Sequence, residues 1–266
     1  PVPIILADLL APKSHDLRTT LGDPWGVAHN HADVVIALAL LAWRIGSVFG
    51  QGLPLMPQKQ HLIVFAKAPK AGLAKTRLIP ALGAGGAAAL AKRLFEHTMA
   101  LVSPLSLRAD TALELCVADD HADCFFKSWL EQKNRSTQWQ LTHQQGHDLG
   151  SRMQTALNRA LDRACHAILI GTDAPSLNGD LIAVAFSALA TNDAVFAPAF
   201  DGGYTLIGLR KPIPALFHDI EWGSTRVMQT SRDRLRAAKK TWHELAPMHD
   251  IDEPTDLIHL PPHLRN

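Results

Sequence analysis

Two kinds of residue recur in this chain where chemistry would need them. One is a set of lysines and arginines crowded into a short loop; the other is aspartates that follow directly on apolar runs. The segment Phe65-Ala66-Lys67-Ala68-Pro69-Lys70-Ala71-Gly72-Leu73-Ala74-Lys75-Thr76-Arg77-Leu78 carries four cations among small residues. Small residues let a backbone come close to a ligand. Lys and Arg neutralise phosphate oxygens, and Arg can do so through two parallel hydrogen bonds. The Gly-Lys-Ser/Thr of a Walker loop is absent, so the segment is either a different phosphate loop or a solvated basic turn. Its candidate nucleotide-binding residues are Ala66, Lys67, Pro69, Gly72, Lys75 and Arg77, joined by Thr172 from a second loop.

That second loop is Ile170-Gly171-Thr172-Asp173-Ala174-Pro175-Ser176. Asp173 follows an apolar run at once. A carboxylate at a strand end can hold Mg²⁺ or Mn²⁺ against a diphosphate, or it can simply close a turn. A second acidic group, His249-Asp250-Ile251-Asp252-Glu253-Pro254-Thr255-Asp256, offers Asp252 as a metal ligand or as the cap of a last helix. If Asp173 and Asp252 share one ion, their carboxylates must converge to within about 5 Å, since each oxygen sits roughly 2.1 Å from Mg²⁺. In Asp201-Gly202-Gly203-Tyr204 the glycines free the backbone. Asp201 can bind a sugar hydroxyl or act as general base, or the segment is a turn between strands. Tyr204 is the chain's sole tyrosine. Gly146-His147-Asp148-Leu149-Gly150-Ser151-Arg152 opens a predicted helix, where anions are attracted; Asp148 is either its cap or an acceptor contact, beside Gly150 and Arg152. Trp222 can stack on a base or sugar, or fill the core, and Ser224 is read as the cap of the helix after it.

The elements that must carry these residues follow from periodicity. Apolar, β-rich runs at Leu62–Ala66, Ala112–Val117, Gln138–Thr142, Ala167–Ile170, Ala194–Ala197 and Tyr204–Leu209 are predicted strands. Helical spacing predicts helices over Gly83–Val102, His121–Gln132, the stretch after Asp148, Gly179–Ala190 and Ser224–Lys239. Strands alternating with helices predict a three-layer α/β/α sandwich with a mostly parallel sheet, Leu62–Ala66 and Ala167–Ile170 being central and adjacent. Ligands of such sheets gather beyond the carboxyl ends of the strands.

The chain has 266 residues, 47% of them hydrophobic, enough for a full core. A net charge of +1 gives no global pull toward nucleic acid or an anionic membrane, so no nucleic-acid partner is expected. Cys116, Cys124 and Cys165 lack zinc or redox spacing and read as reduced, mostly buried thiols of a cytoplasmic protein. Residues 1–58 read as an N-terminal appendage or linker, and 59–266 as the functional domain. The apolar run Val34–Trp43 is too short to span a bilayer, so no stable membrane insertion is expected. His29-Asn30-His31 resembles a metal-nuclease fragment by letters only, and Gln51–Gln60 reads as a linker.

Together, FAKAPKAGLAKTRL, GHDLGSRM, GTDAPSL, APAFDGGYTLIGL, EWGSTRVMQT and HDIDEPTDL resemble, in order and over about residues 61–258, a bacterial family of GT-A-fold glycosyltransferases associated with radical-SAM proteins and arsenosugar biosynthesis. The layout is also similar to sugar and phospholactate nucleotidyltransferases. The resemblance implies a GT-A-like, nucleotide-diphospho-sugar transferase fold, and Mg²⁺ or Mn²⁺ held by Asp173 and Asp252. It implies a metal-dependent transfer of sugar from a nucleotide-sugar donor to a small-molecule acceptor. Lys75 and Arg77 would then hold phosphates, and Asp201 would orient or deprotonate the acceptor. Asp148, Gly150, Arg152, Gly202, Gly203, Tyr204, Trp222 and Ser224 would line the acceptor or sugar side. Thr205 departs from the family pattern, which leads one to expect a second aromatic there. Two alternatives stand beside this reading: a nucleotidyltransferase that joins an NTP to a phosphorylated acceptor, and a nucleotide-binding domain without catalysis.

Overall fold

The computed structural model describes residues 58–118, 123–133, 135 and 138–265. The appendage, Val34–Trp43 and His29–His31 lie outside the described residues. Seven strands form one sheet in the order β3-β2-β1-β4-β6-β5-β7. They are β1 (Gln58–Ala66), β2 (Thr111–Val117), β3 (Trp139–His143), β4 (Ala164–Ile170), β5 (Ala194–Pro198), β6 (Tyr204–Leu209) and β7 (Trp242–Glu244). β1 pairs in parallel with both β2 and β4, as its run of apolar residues buried on both faces requires. Only β6 among the described strands runs against its neighbours. The linker expected to run to Gln60 ends sooner, because Gln58–Gln60 already pair with β2 and β4. β7 went unpredicted: its three residues, Trp-His-Glu, are held by pairing with β5 rather than by apolar pattern.

The five α-helices of the described residues are α1 (Ile79–Val102), α2 (Asp123–Gln132), α3 (Leu149–Leu161), α4 (Gly179–Ala188) and α5 (Val227–Ala237). Phe95 and Met99 of α1, Phe126 and Trp129 of α2, and Ile182 of α4 pack on one face of the sheet. Met153 and Leu157 of α3 and Met228 and Leu235 of α5 pack on the other. This is the expected three-layer sandwich. α1 begins earlier than predicted, at Ile79, and bends at Gly83, whose φ of 70° lies outside the helical region. It is long and apolar enough to cross a membrane by length and composition, yet Phe95, Met99 and Val102 are buried in the core.

Two capping expectations divide. Asp148 does cap α3: its carboxylate accepts from the Ser151 N–H at 2.7 Å, in a reciprocal capping box. Ser224 does not cap α5, which starts later, after Arg226; its hydroxyl only accepts from the Arg226 N–H at 3.4 Å. Of the three thiols, Cys116 is buried while Cys124 and Cys165 are exposed, against the expectation of mostly buried cysteines.

The topology sends every signature loop to one edge. β1, β2, β4 and β5 run the same way, so residues 67, 118, 171–173 and 199 leave the sheet together. β1 and β4 lie where the strand order reverses, the position at which such sheets bind ligands.

Candidate functional site

A cleft of about 540 Å³ opens at that edge. Ala66, Lys67, Lys75 and Arg77 line it from the basic loop, and Thr172 and Asp173 from the loop after β4. Arg152 and Tyr204 contribute from α3 and β6, and Asp250 and Asp252 from the C-terminal segment. Leu73 and Leu149, 49% and 46% exposed, give it two apolar lips. The other predicted residues lie off its lining: Pro69, Gly72, Asp148, Gly150, Asp201, Gly202, Gly203, Trp222 and Ser224.

The C-terminal segment reaches the site through Ile251. Its side chain is fully buried against Leu78 and Leu90, and its N–H donates to the Asp173 carbonyl at 2.9 Å. The residues on either side, Asp250 and Asp252, both face the cleft. Asp252 is no cap. Glu253 caps the following 3₁₀ turn, Pro254–His259, while the Asp256 carboxylate accepts from the backbone N–H groups of Asp252 and Glu253.

Asp173 and Asp252 meet at a single cation. Lys75 Nζ lies 2.8 Å from Asp173 Oδ1 and 3.6 Å from Asp252 Oδ1, so those oxygens can be no further apart than these two legs together. The Lys75 side chain is only 7% exposed, against 48% for Asp173 and 41% for Asp252. Arg77 approaches the other oxygen, Asp252 Oδ2, at 3.0 Å, and reaches Glu253 at 3.7 Å. Two of the three cations predicted to bind the nucleotide, Lys75 and Arg77, are therefore engaged by carboxylates. Lys67 and Arg152 have no acidic side chain in ion-pair range among the described residues; Arg152 Nε donates to the Gly146 carbonyl.

Asp250 was missed by the sequence reading, which weighed its neighbours. Burial pushes its carboxyl up to about 6, helped by the negative charges of Asp201 and Asp173 and opposed by its own backbone N–H and by Lys75. Four aspartates, Asp173, Asp201, Asp250 and Asp252, therefore crowd the edge where the sheet opens, and the letters His-Asp-Ile-Asp carry no mark of which one is buried. Asp201 spends Oδ1 on the Gly203 N–H at 2.7 Å, which makes the segment the turn between β5 and β6. Gly202, at φ 92°, packs so tightly that a Cβ would come within 2.1 Å of the Thr225 carbonyl oxygen, so glycine is required there by packing.

Behind the cleft, Tyr204 stands edge-on to Trp222, ring centroids 6.5 Å apart. Burial alone pushes the Tyr204 phenol up, beyond its ordinary range. The Trp222 indole packs on Gly150, where a Cβ would fall 2.6 Å from the ring nitrogen. Gly150 and Trp222 thus fix the seating of α3.

The donor set fits a hard divalent cation. Mg²⁺ is commonly held by one or two carboxylates, with phosphates and waters completing its shell. Asp173 and Asp252 supply that pair around a point already occupied by positive charge. No three His, Cys, Asp or Glu side chains among the described residues form a cage by themselves.

A family model described as "Uncharacterized protein conserved in bacteria (DUF2064)" matches residues 101–224. Among solved structures, the chain is similar to a protein of Desulfovibrio desulfuricans G20 described as a "putative nucleotide-diphospho-sugar transferase". Identity is 32%, with 79% of this chain and 89% of that one covered, at a TM-score of 0.70. It shares its fold with the 4-diphosphocytidyl-2C-methyl-D-erythritol synthase of Anaerococcus prevotii DSM 20548, at 15% identity over 80% of this chain and 99% of that one, with a TM-score of 0.52. No curated protein matches the chain.

Proposed function

Because the chain belongs to the DUF2064 family and has the nucleotide-diphospho-sugar transferase fold, we propose that it is a metal-dependent glycosyltransferase that moves a sugar from a nucleotide-sugar to a small-molecule acceptor. The observation that carries this reading is the convergence of Asp173 and Asp252 on one cation at the mouth of a basic cleft. The description of the Desulfovibrio relative supports the same class of reaction.

In this reading the donor nucleotide lies along the 66–77 loop, between Leu73 and Leu149. Lys67 and Arg152 draw its phosphates. Asp173 and Asp252 hold Mg²⁺ or Mn²⁺, which supplies positive charge to the leaving nucleoside diphosphate. Asp201 keeps one oxygen fixed in its turn and offers the other to an acceptor hydroxyl. Asp148, spent on capping, serves by seating α3 and Arg152. The domain of residues 59–266 is assigned the whole of this activity.

Lys67 and Arg152, the cleft cations without acidic partners among the described residues, also favour a second reading, in which an NTP is joined to a phosphorylated acceptor. The product decides. A nucleoside diphosphate released from a nucleotide-sugar supports the first reading, and pyrophosphate released from an NTP supports the second. The screen that precedes this is a thermal shift with nucleotides and nucleotide-sugars, with and without Mg²⁺ or Mn²⁺. A ligand at 100 times its Kd should add about 2.7 kcal/mol of stability. Stabilisation by none of them, with or without the ion, would leave the proposal without support.

A further inference from the structure

The position of Lys75 is odd for a residue meant to bind phosphate. It lines the cleft, but its ammonium is turned away from solvent and lies between Asp173 Oδ1 and Asp252 Oδ1. Its backbone is held at φ 48° and ψ 48°, a left-handed conformation that is strained for any residue with a Cβ. The two carboxylates do not need Lys75 to find each other. The Ile251 N–H to Asp173 carbonyl bond joins their backbones, buried Ile251 anchors the segment, and Arg77 holds Asp252 through its other oxygen.

We propose that Lys75 is the resident counter-ion of the Asp173–Asp252 pair and yields that place to a divalent cation, its ammonium then turning into the cleft toward the donor phosphates. This rests on the metal reading above and goes beyond it. The ion and the ammonium compete for the same two oxygens, so they cannot both remain there. Lysine suits such an exchange: its charge is a compact point on a flexible stem, whereas a guanidinium is bound to one fork geometry. Since Lys75 already lines the cleft, withdrawal carries its charge into the cleft. Metal binding thereby adds a cation for the phosphates, and the two ligands bind with positive coupling, each raising the affinity of the other by the same factor.

Two measurements on the full chain test this, both made without substrate. The first is calorimetric titration with Mn²⁺ of wild type, Lys75→Met and Asp173→Asn. Removing a competing charge at ion-pair distance should tighten Mn²⁺ binding at least about tenfold in Lys75→Met, while Asp173→Asn should lose it. The second reads wild type alone, by acetic anhydride labelling and mass spectrometry, with exposed Lys70 as internal reference. Saturating Mn²⁺ should raise the Lys75 labelling rate by about tenfold as the population shifts to the released state. Mn²⁺ binding that weakens or is unchanged in Lys75→Met, or Lys75 labelling that stays flat or falls, overturns the exchange and leaves the metal reading intact. Absence of Mn²⁺ binding to wild type, or equal binding by Asp173→Asn, overturns the metal reading itself and the exchange with it.

Discussion

Glu114 and Asp250 are both carboxylates drawn out of water by the same sheet, and they titrate in opposite directions. Glu114 sits in the middle of β2, 1% exposed. Burial works to raise its carboxyl, but His61, Thr142 and Arg159 outweigh burial and hold it below the ordinary carboxylate range. His61 Nε2 is 3.0 Å from one oxygen, while the Thr142 hydroxyl donates to the other at 2.6 Å and Arg159 bonds to that same oxygen. Asp250, at the open edge, gains two like charges where Glu114 gains donors, and burial wins. A charge enclosed in the fold has been surrounded by groups that favour its ionised form. Charges at the cleft have been left unbalanced or paired with something that can move. The first arrangement serves stability, and the second is what a ligand site requires.

The comparison breaks most visibly at Glu114. In Glu114→Ala, the buried end of Arg159 and the buried His61 lose their acceptor. Stripping one partner from a buried pair costs about 3–5 kcal/mol. Urea unfolding should show this as a lower midpoint at unchanged slope, with ligand binding per folded molecule intact. A loss below about 1 kcal/mol would place the network among exposed ion pairs that matter little.

At the edge the balance reverses. Asp173→Asn keeps the size of the side chain and removes one of two charges facing Lys75, on a group 48% exposed. Stability should hardly move. Turnover of the donor identified by the ligand screen should fall at least about a hundredfold, equivalent to about 2.7 kcal/mol of transition-state stabilisation. If unfolding shifts and turnover does not, Asp173 belongs with Glu114 as a structural carboxylate.

What the sequence made legible divides along the same line. β1 and β4 stand out because burial on both faces leaves an unbroken apolar run, and the Asp148 cap because helix ends select their residues locally. β7 and the late start of α5 are decided by neighbours distant in sequence. So is the pairing of Lys75 with Asp173 and Asp252, since a basic loop reads the same whether its charges face phosphate or carboxylate. Glu114 did leave a signal, one charge inside Thr111-Ala-Leu-Glu-Leu-Cys-Val117, and a charge in a buried strand needs a partner. Asp250 left none, because its distinction is where Ile251 anchors it. The convergence of Asp173 and Asp252 had a weak trace on one side, Asp173 lying just past the end of β4, which the parallel sheet sends to that edge.

The smallest expected effect is also the sharpest, because its sign differs on the two sides of the comparison. The Asp250 carboxyl lies at about 6 in the folded chain and near the ordinary aspartate value of 3.8 when unfolded. Between those values the folded state binds more protons, so this group makes stability fall as pH rises through the window. Its cost is fully present above about pH 6 and absent below about pH 4. Glu114, held low, has the opposite effect: its contribution is present above the unfolded value and is lost as pH falls through the folded one. Net pH dependence therefore mixes the two, and a difference between variants is needed to separate them. Asp250→Asn should be more stable than wild type at pH 7.5, by about 1 kcal/mol once solvent screening of a half-buried group is allowed for. The gap should close toward pH 4, where wild-type Asp250 is protonated. Urea midpoints of the two proteins at both pH values read this directly. Saturating Mn²⁺ should narrow the gap at pH 7.5, since a cation between Asp173 and Asp252 offsets the negative charge that Asp250 feels. A gap of the same size at both pH values would mean that the gain comes from packing and that Asp250 carries no unbalanced charge. A gap that Mn²⁺ leaves untouched would mean that the ion binds beyond the reach of Asp250.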